Sequence, residues 1–133
     1  MNRKVISINE NDSVYDAIKV LSEQKIGALP VLNNQKKLSG MLSERDIIQK
    51  VSFNKTIDLP HTQIKSIMTT KIITCNQDTE SNVLMTIMTN NKIRHIPIIK
   101  QGSLIGIVSI GDVVKRLLEK FNLENAELKS WLY

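Results

Sequence analysis

The chain contains the same sequence pattern twice. Three blocks recur in the same order, and they are residues 6–9 with 73–76, residues 25–31 with 92–98, and residues 40–47 with 106–113. The offset is 67 residues for the first two blocks and 66 for the third, because the second copy has one residue fewer in a polar turn. Internal repetition predicts a fold built from similar units. Two such units that pack together form two similar clefts, so the repeat constrains the function as well as the fold.

Each copy has the pattern of a strand, a helix, two strands and a second helix. In the first copy a β-branched run at residues 5–8 precedes a capping Asn-Asp-Ser segment and apolar residues at helical spacing. Apolar runs at 28–32 and 38–42 flank a polar turn and predict a hairpin, and a helix is expected to begin near Ser43. The second copy predicts strands at 71–75, 96–99 and 104–108 and a helix that begins near Ser109.

The two copies are expected to be joined by a linker. Residues 53–63 are mainly polar and contain Pro60, so the chain divides into 1–63, the first repeat with its linker, and 64–133, the second repeat. Beyond the second repeat we expect an amphipathic C-terminal helix. Its apolar residues are Val113, Val114, Leu117, Leu118, Phe121, Leu128, Trp131 and Leu132.

The composition is that of a folded chain. Hydrophobic residues make up 41% and aromatic residues only 4%, so the core is expected to consist of aliphatic side chains. The apolar runs are too short to span a membrane, and no apolar signal segment stands at the N-terminus. A single cysteine excludes a disulfide framework and fits a reducing compartment. We therefore expect a cytoplasmic protein without a membrane association.

The positive charge of the chain is spread evenly. Residues 1–66 carry ten Lys or Arg and seven Asp or Glu, and residues 67–133 carry eight and six. Nucleic-acid-binding proteins show clustered basic stripes and stacking aromatic side chains, and this sequence has neither. The charge fits a small anionic ligand better than a nucleic acid, although a basic nucleic-acid-binding protein is kept as an alternative.

A Ser-x-x-Asp spacing occurs at the predicted start of a helix in both copies, as Ser43 with Asp46 and as Ser109 with Asp112. A carboxylate at this point can accept hydrogen bonds from both ribose hydroxyls, and a helix N-terminus favours phosphate. The same spacing is close to a capping box, in which the two side chains satisfy the helix's own amides. Its occurrence in both copies favours nucleotide binding, and the two roles are partly compatible.

These blocks, taken in order, resemble a pair of cystathionine β-synthase (CBS) domains, also called a Bateman module. The resemblance rests on residues 40–46, 67–69, 93–98 and 106–112, and the two repeats cover nearly the whole chain. The first copy lacks an equivalent of residues 67–69. The resemblance implies an α+β fold in which two β-α-β-β-α repeats pack about a pseudo-two-fold axis, with an extra C-terminal helix. It also implies a homodimer without catalytic activity that acts on a regulated protein partner.

The resemblance further implies an adenine ligand in the clefts between the repeats: AMP, ATP, NAD(H) or S-adenosylmethionine. Asp46 and Asp112 would each anchor one ribose. Arg94 and His95 precede the apolar strand at 96–99. In the family, this position in one repeat reaches the ligand whose ribose the other repeat holds, so Arg94 and His95 are expected to serve the Asp46 site. The full set of implied ligand-binding residues is Ser7, Gly27, Ala28, Pro30, Ser43, Arg45, Asp46, Thr74, Arg94, His95, Pro97, Ser109 and Asp112.

The two clefts are expected to differ in ligand preference. Gly27 and Ala28 stand where the second copy has its basic pair, and they would let the backbone approach a ligand at the Asp112 site. By the same crossing, Arg45 is expected to reach that ligand. A solvated surface charge is the alternative interpretation for Arg45 and for Arg94.

No residue pattern predicts catalysis or a metal site. Cys75 aligns with Ile8 and is expected to be a core strand position, and His61 has no partner at metal-ligand spacing. The chain has neither a P-loop nor a Gly-x-Gly-x-x-Gly fingerprint, so NAD would bind without a Rossmann motif. An enzyme that acts on the bound nucleotide is the other alternative, and it lacks an identifiable nucleophile.

Overall fold

A computed structural model describes residues 5–53 and 57–124, and the predicted continuation of the last helix through Leu128, Trp131 and Leu132 lies outside them. The structure is α+β, and the helices and strands follow the order that the sequence predicts. In chain order they are β1 (Ile8–Asn9), α1 (Val14–Gln24), β2 (Ala28–Leu32), β3 (Leu38–Ser43), α2 (Glu44–Phe53), α3 (Ser81–Asn91), β4 (His95–Lys100), β5 (Ser103–Ser109) and α4 (Ile110–Glu124). Two short 3₁₀ turns, Leu59–His61 and Ile64–Ser66, lie between α2 and α3.

The strand pairing repeats with the sequence. β2 and β3 form an antiparallel hairpin that begins with Ala28 opposite Ser43, and β4 and β5 form one that begins with His95 opposite Ser109. Both hairpins shift register after their fourth pair of residues. The sequence offset therefore corresponds to an equivalence of backbone hydrogen bonds, because the same residue positions face each other in both copies.

The predicted first strand is shorter than expected in the first copy, and in the second copy residues 71–75 form no strand. Of residues 5–8 only Ile8 pairs, in parallel with Val31, and in the second copy Cys75 forms a single parallel bridge with Ile98. Prolines explain the difference. The Cys75 N–H donates to the Pro97 carbonyl at 3.0 Å, but the Pro97 nitrogen on the same side has no hydrogen, so the ladder stops there.

The helices of the two copies begin at corresponding residues, and α1 and α3 also end at corresponding residues. The Ser13 hydroxyl accepts a hydrogen bond from the Asp16 N–H at 3.0 Å and caps α1, whose residues Val14, Ala17 and Leu21 are buried. α1 and α3 both end at a lysine in the left-handed conformation, Lys25 and its equivalent Lys92.

In α3, Leu84 and Met88 are buried, one turn apart, while Val83 is 45% exposed. Val83 precedes Leu84 by one residue, which rotates its side chain about 100° away from the buried stripe. Val83 therefore lies outside the buried stripe of α3. In α4, Val113 is buried, as expected, but Val114, Leu118 and Phe121 are exposed.

Two hydrophobic cores form, one for each repeat. The first contains Leu29 and Leu42 from the hairpin, and also Ile64 and Ile67, which follow the linker. These last two residues belong to the second copy by sequence but pack on the first. Residues 62–73, called the crossing segment below, connect the two units. Backbone hydrogen bonds attach this segment to the first repeat: the Val14 N–H donates to the Thr62 carbonyl at 2.8 Å, and the Ile64 N–H donates to the Asp12 carbonyl at 2.9 Å. The division at residue 63 describes the sequence, whereas the packing extends the first unit past it.

The crossing segment also pairs with the outer edge of β3. Thr69 and Met41 form an antiparallel bridge, in which each N–H donates to the other residue's carbonyl at 2.9 Å. Gly40 makes this approach possible, because a Cβ there would lie 2.5 Å from Met68 Sδ and 2.9 Å from the Thr69 carbonyl oxygen. The bridge brings Thr69 and the residues after it to the start of α2.

Candidate functional site

A cleft of about 510 Å³ opens where the two copies meet. Its walls are the N-terminus of α2, the starts of β2 and β4, and residues 69–73 of the crossing segment. Both repeats therefore contribute side chains to one concave site, which is the arrangement expected for a small-molecule site.

The structure brings most of the predicted ligand-binding residues to this cleft. Asp46 lies on its wall, and Arg94 and His95 reach it from the second copy, as the expected crossing between repeats requires. The predicted residues that line the cleft are Gly27, Ala28, Ser43, Arg45, Asp46, Arg94, His95 and Pro97.

Three of these residues lie elsewhere than expected. Gly27, Ala28 and Arg45 were assigned to the Asp112 site, yet they line the cleft that contains Asp46. The cause is the close approach of the two equivalent strand starts. His95 Cε1 lies 3.5 Å from the point that a Cβ of Gly27 would occupy, so both strand starts border the same cleft.

The other five predicted residues do not line this cleft. Ser7 lies along a separate groove of the first repeat, and Pro30 is fully buried in β2. Thr74 is exposed next to the Cys75 bridge. Ser109 and Asp112 stand at the start of α4, the position equivalent to Ser43 and Asp46. Their assignment to a second ligand site stays a prediction.

Ser43 and Asp46 form a capping box. The Ser43 N–H donates to Asp46 Oδ2 at 2.9 Å, and the Asp46 N–H donates to Ser43 Oγ at 3.1 Å. The other carboxylate oxygen, Oδ1, faces the Thr69 hydroxyl at 3.5 Å, which is a weak contact. The cap therefore uses one oxygen of Asp46 and leaves the other at the cleft.

The equivalent pair in the second copy is capped in the same way. Asp112 Oδ2 accepts hydrogen bonds from the Ser109 N–H at 3.2 Å and the Ser109 hydroxyl at 2.9 Å. The Asp112 N–H donates to Ser109 Oγ at 3.2 Å. Again the cap engages Oδ2 of the aspartate.

The backbone joins each strand start to the following helix. The Glu44 N–H donates to the Gly27 carbonyl at 2.9 Å, and the equivalent Ile110 N–H donates to the Arg94 carbonyl at 2.8 Å. With the Asp46 N–H also engaged by Ser43, two amides in the first turn of α2 already have partners. The helix terminus therefore offers fewer free donors to an anion than the sequence suggests.

Charged side chains give the cleft a positive balance. Two carboxylates, Glu44 and Asp46, face four cationic side chains at its walls. The four are Arg45, Lys71, Lys92 and Arg94. An anionic group inside the cleft would therefore be attracted by side-chain charge more than by free helix amides.

His95 is the titratable group at the centre of this arrangement. Burial lowers the pKa of His95 below its ordinary value of 6.5, nearby Glu44 opposes that shift, Arg94 adds to it, and Asp112 opposes it. The ring is therefore neutral at neutral pH. A neutral imidazole can donate one hydrogen bond and accept another.

The cleft also has an apolar wall, which the sequence analysis did not predict. Ile48 is 63% exposed although it is a large aliphatic residue, and it faces the cleft together with Ile72, Ile73 and Ile93. Flat aliphatic surfaces of this kind suit a planar ring. Ile48 directly follows the buried Ile47, and no local sequence signal shows which of the two faces the core.

Further polar residues of the cleft were also missed. Glu44, Lys71 and Lys92 lie on its walls, and Thr69 contacts Asp46. Residues 67–69 had marked the family resemblance without being assigned to the site. The separation of 23 residues between Thr69 and Asp46 explains the omission, because their contact depends on the crossing segment.

Within residues 5–53 and 57–124 no three His, Cys, Asp or Glu side chains are grouped so that they could hold a metal ion. In the same ranges no helix has the length and apolar character needed to cross a membrane.

The fold and the cleft define a class of protein, namely a module of two similar α+β repeats with a cleft between them. The chain belongs to the CBS domain family, whose sequence profile matches residues 1–52 and 64–119. It is 37% identical over 126 residues to a mitochondrial CBS domain-containing protein of Arabidopsis thaliana. That match covers 92% of this chain and 61% of the relative, so the chain spans less than two thirds of the plant protein's length.

Solved structures show the same fold. A CBS-domain protein of Burkholderia ambifaria is 36% identical, with a TM-score of 0.81 and coverage of 88% of this chain and 85% of its own. The CBS domain pair of protein MJ0100 is 26% identical, with a TM-score of 0.79 and coverage of 90% and 93%. That pair was solved in complex with 5′-methylthioadenosine and S-adenosyl-L-methionine.

Proposed function

We propose that this protein is a regulatory module that binds an adenine nucleotide in the cleft of Asp46 and catalyses no reaction. One observation carries the proposal: Asp46 from the first repeat and Arg94 with His95 from the second line the same cleft. A ligand that contacts both repeats stabilises one relative packing of them, and a partner protein can respond to that shift in population.

The chemistry of the walls suits each part of AMP. Oδ1 of Asp46, which the cap does not use, is the proposed acceptor of hydrogen bonds from ribose hydroxyls, and the isoleucine wall suits the adenine ring. Arg94 and His95 supply a charged donor and a neutral donor for the phosphate. The excess of cationic side chains favours an anionic nucleotide over a neutral nucleoside.

The ligands of a structural neighbour support the adenosine part of this proposal. The MJ0100 pair binds 5′-methylthioadenosine and S-adenosyl-L-methionine, and both molecules contain adenosine. AMP shares that group and adds the phosphate that the cationic wall of this cleft favours. ATP, NAD(H) and S-adenosylmethionine are the other members of the proposed ligand class.

Calorimetry with AMP and with 2′-deoxy-AMP tests the role of Asp46. Asp46→Ala should weaken AMP binding about tenfold to a hundredfold, because a hydrogen bond to a charged acceptor contributes about 1.5–3 kcal/mol. Wild type should bind AMP more tightly than 2′-deoxy-AMP, and the mutant should discriminate less. Asp16→Ala is the matched control, since Asp16 is also an acid in a first helical turn but lies outside this cleft.

Two outcomes would contradict the proposal. If wild type binds no adenine nucleotide at millimolar concentration, and mass spectrometry of the freshly purified, denatured protein releases none, the ligand class is wrong. If Asp46→Ala melts at a lower temperature yet binds AMP as tightly as wild type, then Ser43 and Asp46 form only a cap.

A second, weaker site is proposed at Ser109 and Asp112. The capping geometry there matches that of Ser43 and Asp46, and again Oδ2 makes the cap. Ser7, Pro30 and Thr74 have no contact with the described cleft and are proposed for neither site.

A homodimer is part of the same proposal. α4 exposes Val114, Leu118 and Phe121, at spacings of three and four residues, so they form one apolar stripe along the helix. α2 exposes Val51. We propose that a second copy of the chain covers these faces.

The proposed compartment is the cytoplasm, because a single cysteine fits a reducing environment.

A further inference from the structure

One acidic side chain stands on the cationic side of the cleft. Glu44 is exposed, and its Oε1 lies 3.4 Å from the position that a Cβ of Gly27 would occupy. His95 Cε1 lies 3.5 Å from the same point, so the Glu44 carboxylate and the His95 ring are close neighbours. The absence of a side chain at Gly27 leaves the space in which they meet.

This acid is particular to the first copy. Glu44 aligns with Ile110 in the second repeat, and Gly27 aligns with Arg94. The helix start in the first copy therefore has a carboxylate where the second copy has an aliphatic side chain. Among the described residues, the Glu44 carboxylate makes no capping hydrogen bond. The cap of α2 is formed by Ser43 and Asp46.

Glu44 lies next to the residues proposed to bind the phosphate of the ligand. Arg94 and His95 are the proposed phosphate-binding residues, and Glu44 lies beside His95 rather than on the apolar wall. One phosphate still finds a net positive wall. Each additional phosphate brings more negative charge toward the Glu44 carboxylate, and the repulsion grows with that charge.

We infer that Glu44 is a specificity-determining residue that restricts the Asp46 cleft to adenine nucleotides with a single phosphate and disfavours ADP and ATP. This inference rests on the proposed function of the cleft. The module then responds selectively to AMP because of the Glu44 carboxylate, which has no equivalent in the second repeat.

The test is a titration of adenosine, AMP, ADP and ATP into wild type and Glu44→Gln, at constant ionic strength and without divalent cations. Glu44→Gln should tighten ATP binding at least about fivefold more than AMP binding, with ADP between them, because the removed repulsion scales with ligand charge. Adenosine affinity should change less than about twofold, since it carries no charge.

Asp16→Asn is the matched control. Asp16 is an exposed acid in the first turn of α1, so its replacement removes the same favourable interaction with a helix dipole, away from the cleft. It should leave all four affinities unchanged. Thermal melts of both variants show whether the fold is retained, and the exposure of both side chains makes that the expected result.

The outcomes separate this inference from the function on which it rests. If AMP binds wild type and Glu44→Gln changes the AMP and ATP affinities by the same factor, the specificity role is wrong and the nucleotide site stands. If wild type binds none of the four ligands, both are wrong. ATP binding that is detected only in Glu44→Gln supports the inference.

Discussion

At the scale of single residues, the Asp46 carboxylate combines an observed cap with a proposed role in binding. Its Oδ2 accepts the Ser43 N–H at 2.9 Å, while Oδ1 has only the weak contact with Thr69 at 3.5 Å. A capping box and a ligand anchor are therefore compatible in one carboxylate. The sequence indicated that the two roles are partly compatible, but spacing does not show which oxygen each partner uses.

Arg94 is expected to contact the phosphate of the ligand. Arg94→Ala should weaken AMP binding about tenfold to a hundredfold and adenosine binding much less, since only AMP offers a charged acceptor. Calorimetry with both ligands measures the difference. Lys100→Ala, a change of the exposed cation at the other end of β4, should leave both affinities unchanged. Equal losses for AMP and adenosine would show that Arg94 touches no phosphate.

His95 should make the stability of the protein depend on pH. Burial lowers the pKa of His95 below 6.5, so the folded state binds a proton less readily than the unfolded state does. The stability that comes from this lowered pKa is present above pH 6.5 and is lost as the pH falls through the folded-state pKa.

Denaturant unfolding of wild type and His95→Gln, between about pH 7.5 and about pH 5, measures this contribution. The free energy of unfolding should fall less with decreasing pH in His95→Gln than in wild type. His61→Gln provides the comparison, because the His61 side chain is 81% exposed. Parallel pH profiles for wild type and His95→Gln would contradict the prediction.

At the scale of elements, the two hairpins are equivalent in register but not in surroundings. Gly40 and Gly106 occupy matching positions, opposite Val31 and Ile98. Within the part of the chain that the structure describes, Gly40 but not Gly106 is overlaid by another segment, because Met68 and Thr69 pack directly on Gly40. The same motif residue therefore meets different steric demands in the two copies.

Gly40→Ala should destabilise the protein by about 1–3 kcal/mol, the usual range for overpacking. The added Cβ would lie 2.9 Å from the Thr69 carbonyl oxygen, which belongs to the backbone and cannot rotate away. Denaturant unfolding gives the value. Gly106→Ala is the matched control, because its Cβ would meet only the tip of Ile98 at 3.4 Å. Similar losses in both variants would show that the crossing segment moves easily.

At the scale of the whole molecule, the exposed apolar helix faces predict self-association. Light scattering coupled to gel filtration should give twice the chain mass of 15.1 kDa at micromolar concentration. Leu118→Glu places a charge on the α4 stripe, where Leu118 is 50% exposed, and should shift the protein toward the monomer.

Ile105→Glu is the comparison for Leu118→Glu. Ile105 is 39% exposed, but it lies on β5 rather than on a helix, so its replacement should leave the dimer intact. A wild-type mass of one chain would contradict the dimer. Dissociation by Ile105→Glu but not by Leu118→Glu would place the interface on the sheet.

Much of the fold could be predicted from the sequence, because its signals are local or repeated. The Ser13 cap and the buried Val14, Ala17 and Leu21 follow from side-chain chemistry within one helix. The correct match of Ile8 with Cys75 follows from comparing one copy with the other. The α+β class and the family likewise depend on the order of such segments.

The tertiary structure alone decided which copy each segment packs against. Periodicity marks Ile64 and Ile67 as apolar, but it does not show that they enter the core of the preceding repeat. That crossing brings Thr69 to Asp46, and the close approach of the strand starts brings Gly27 to His95. Hydrophobic attraction is non-directional, so a sequence determines which faces must be buried, and only the packed chain determines what they meet.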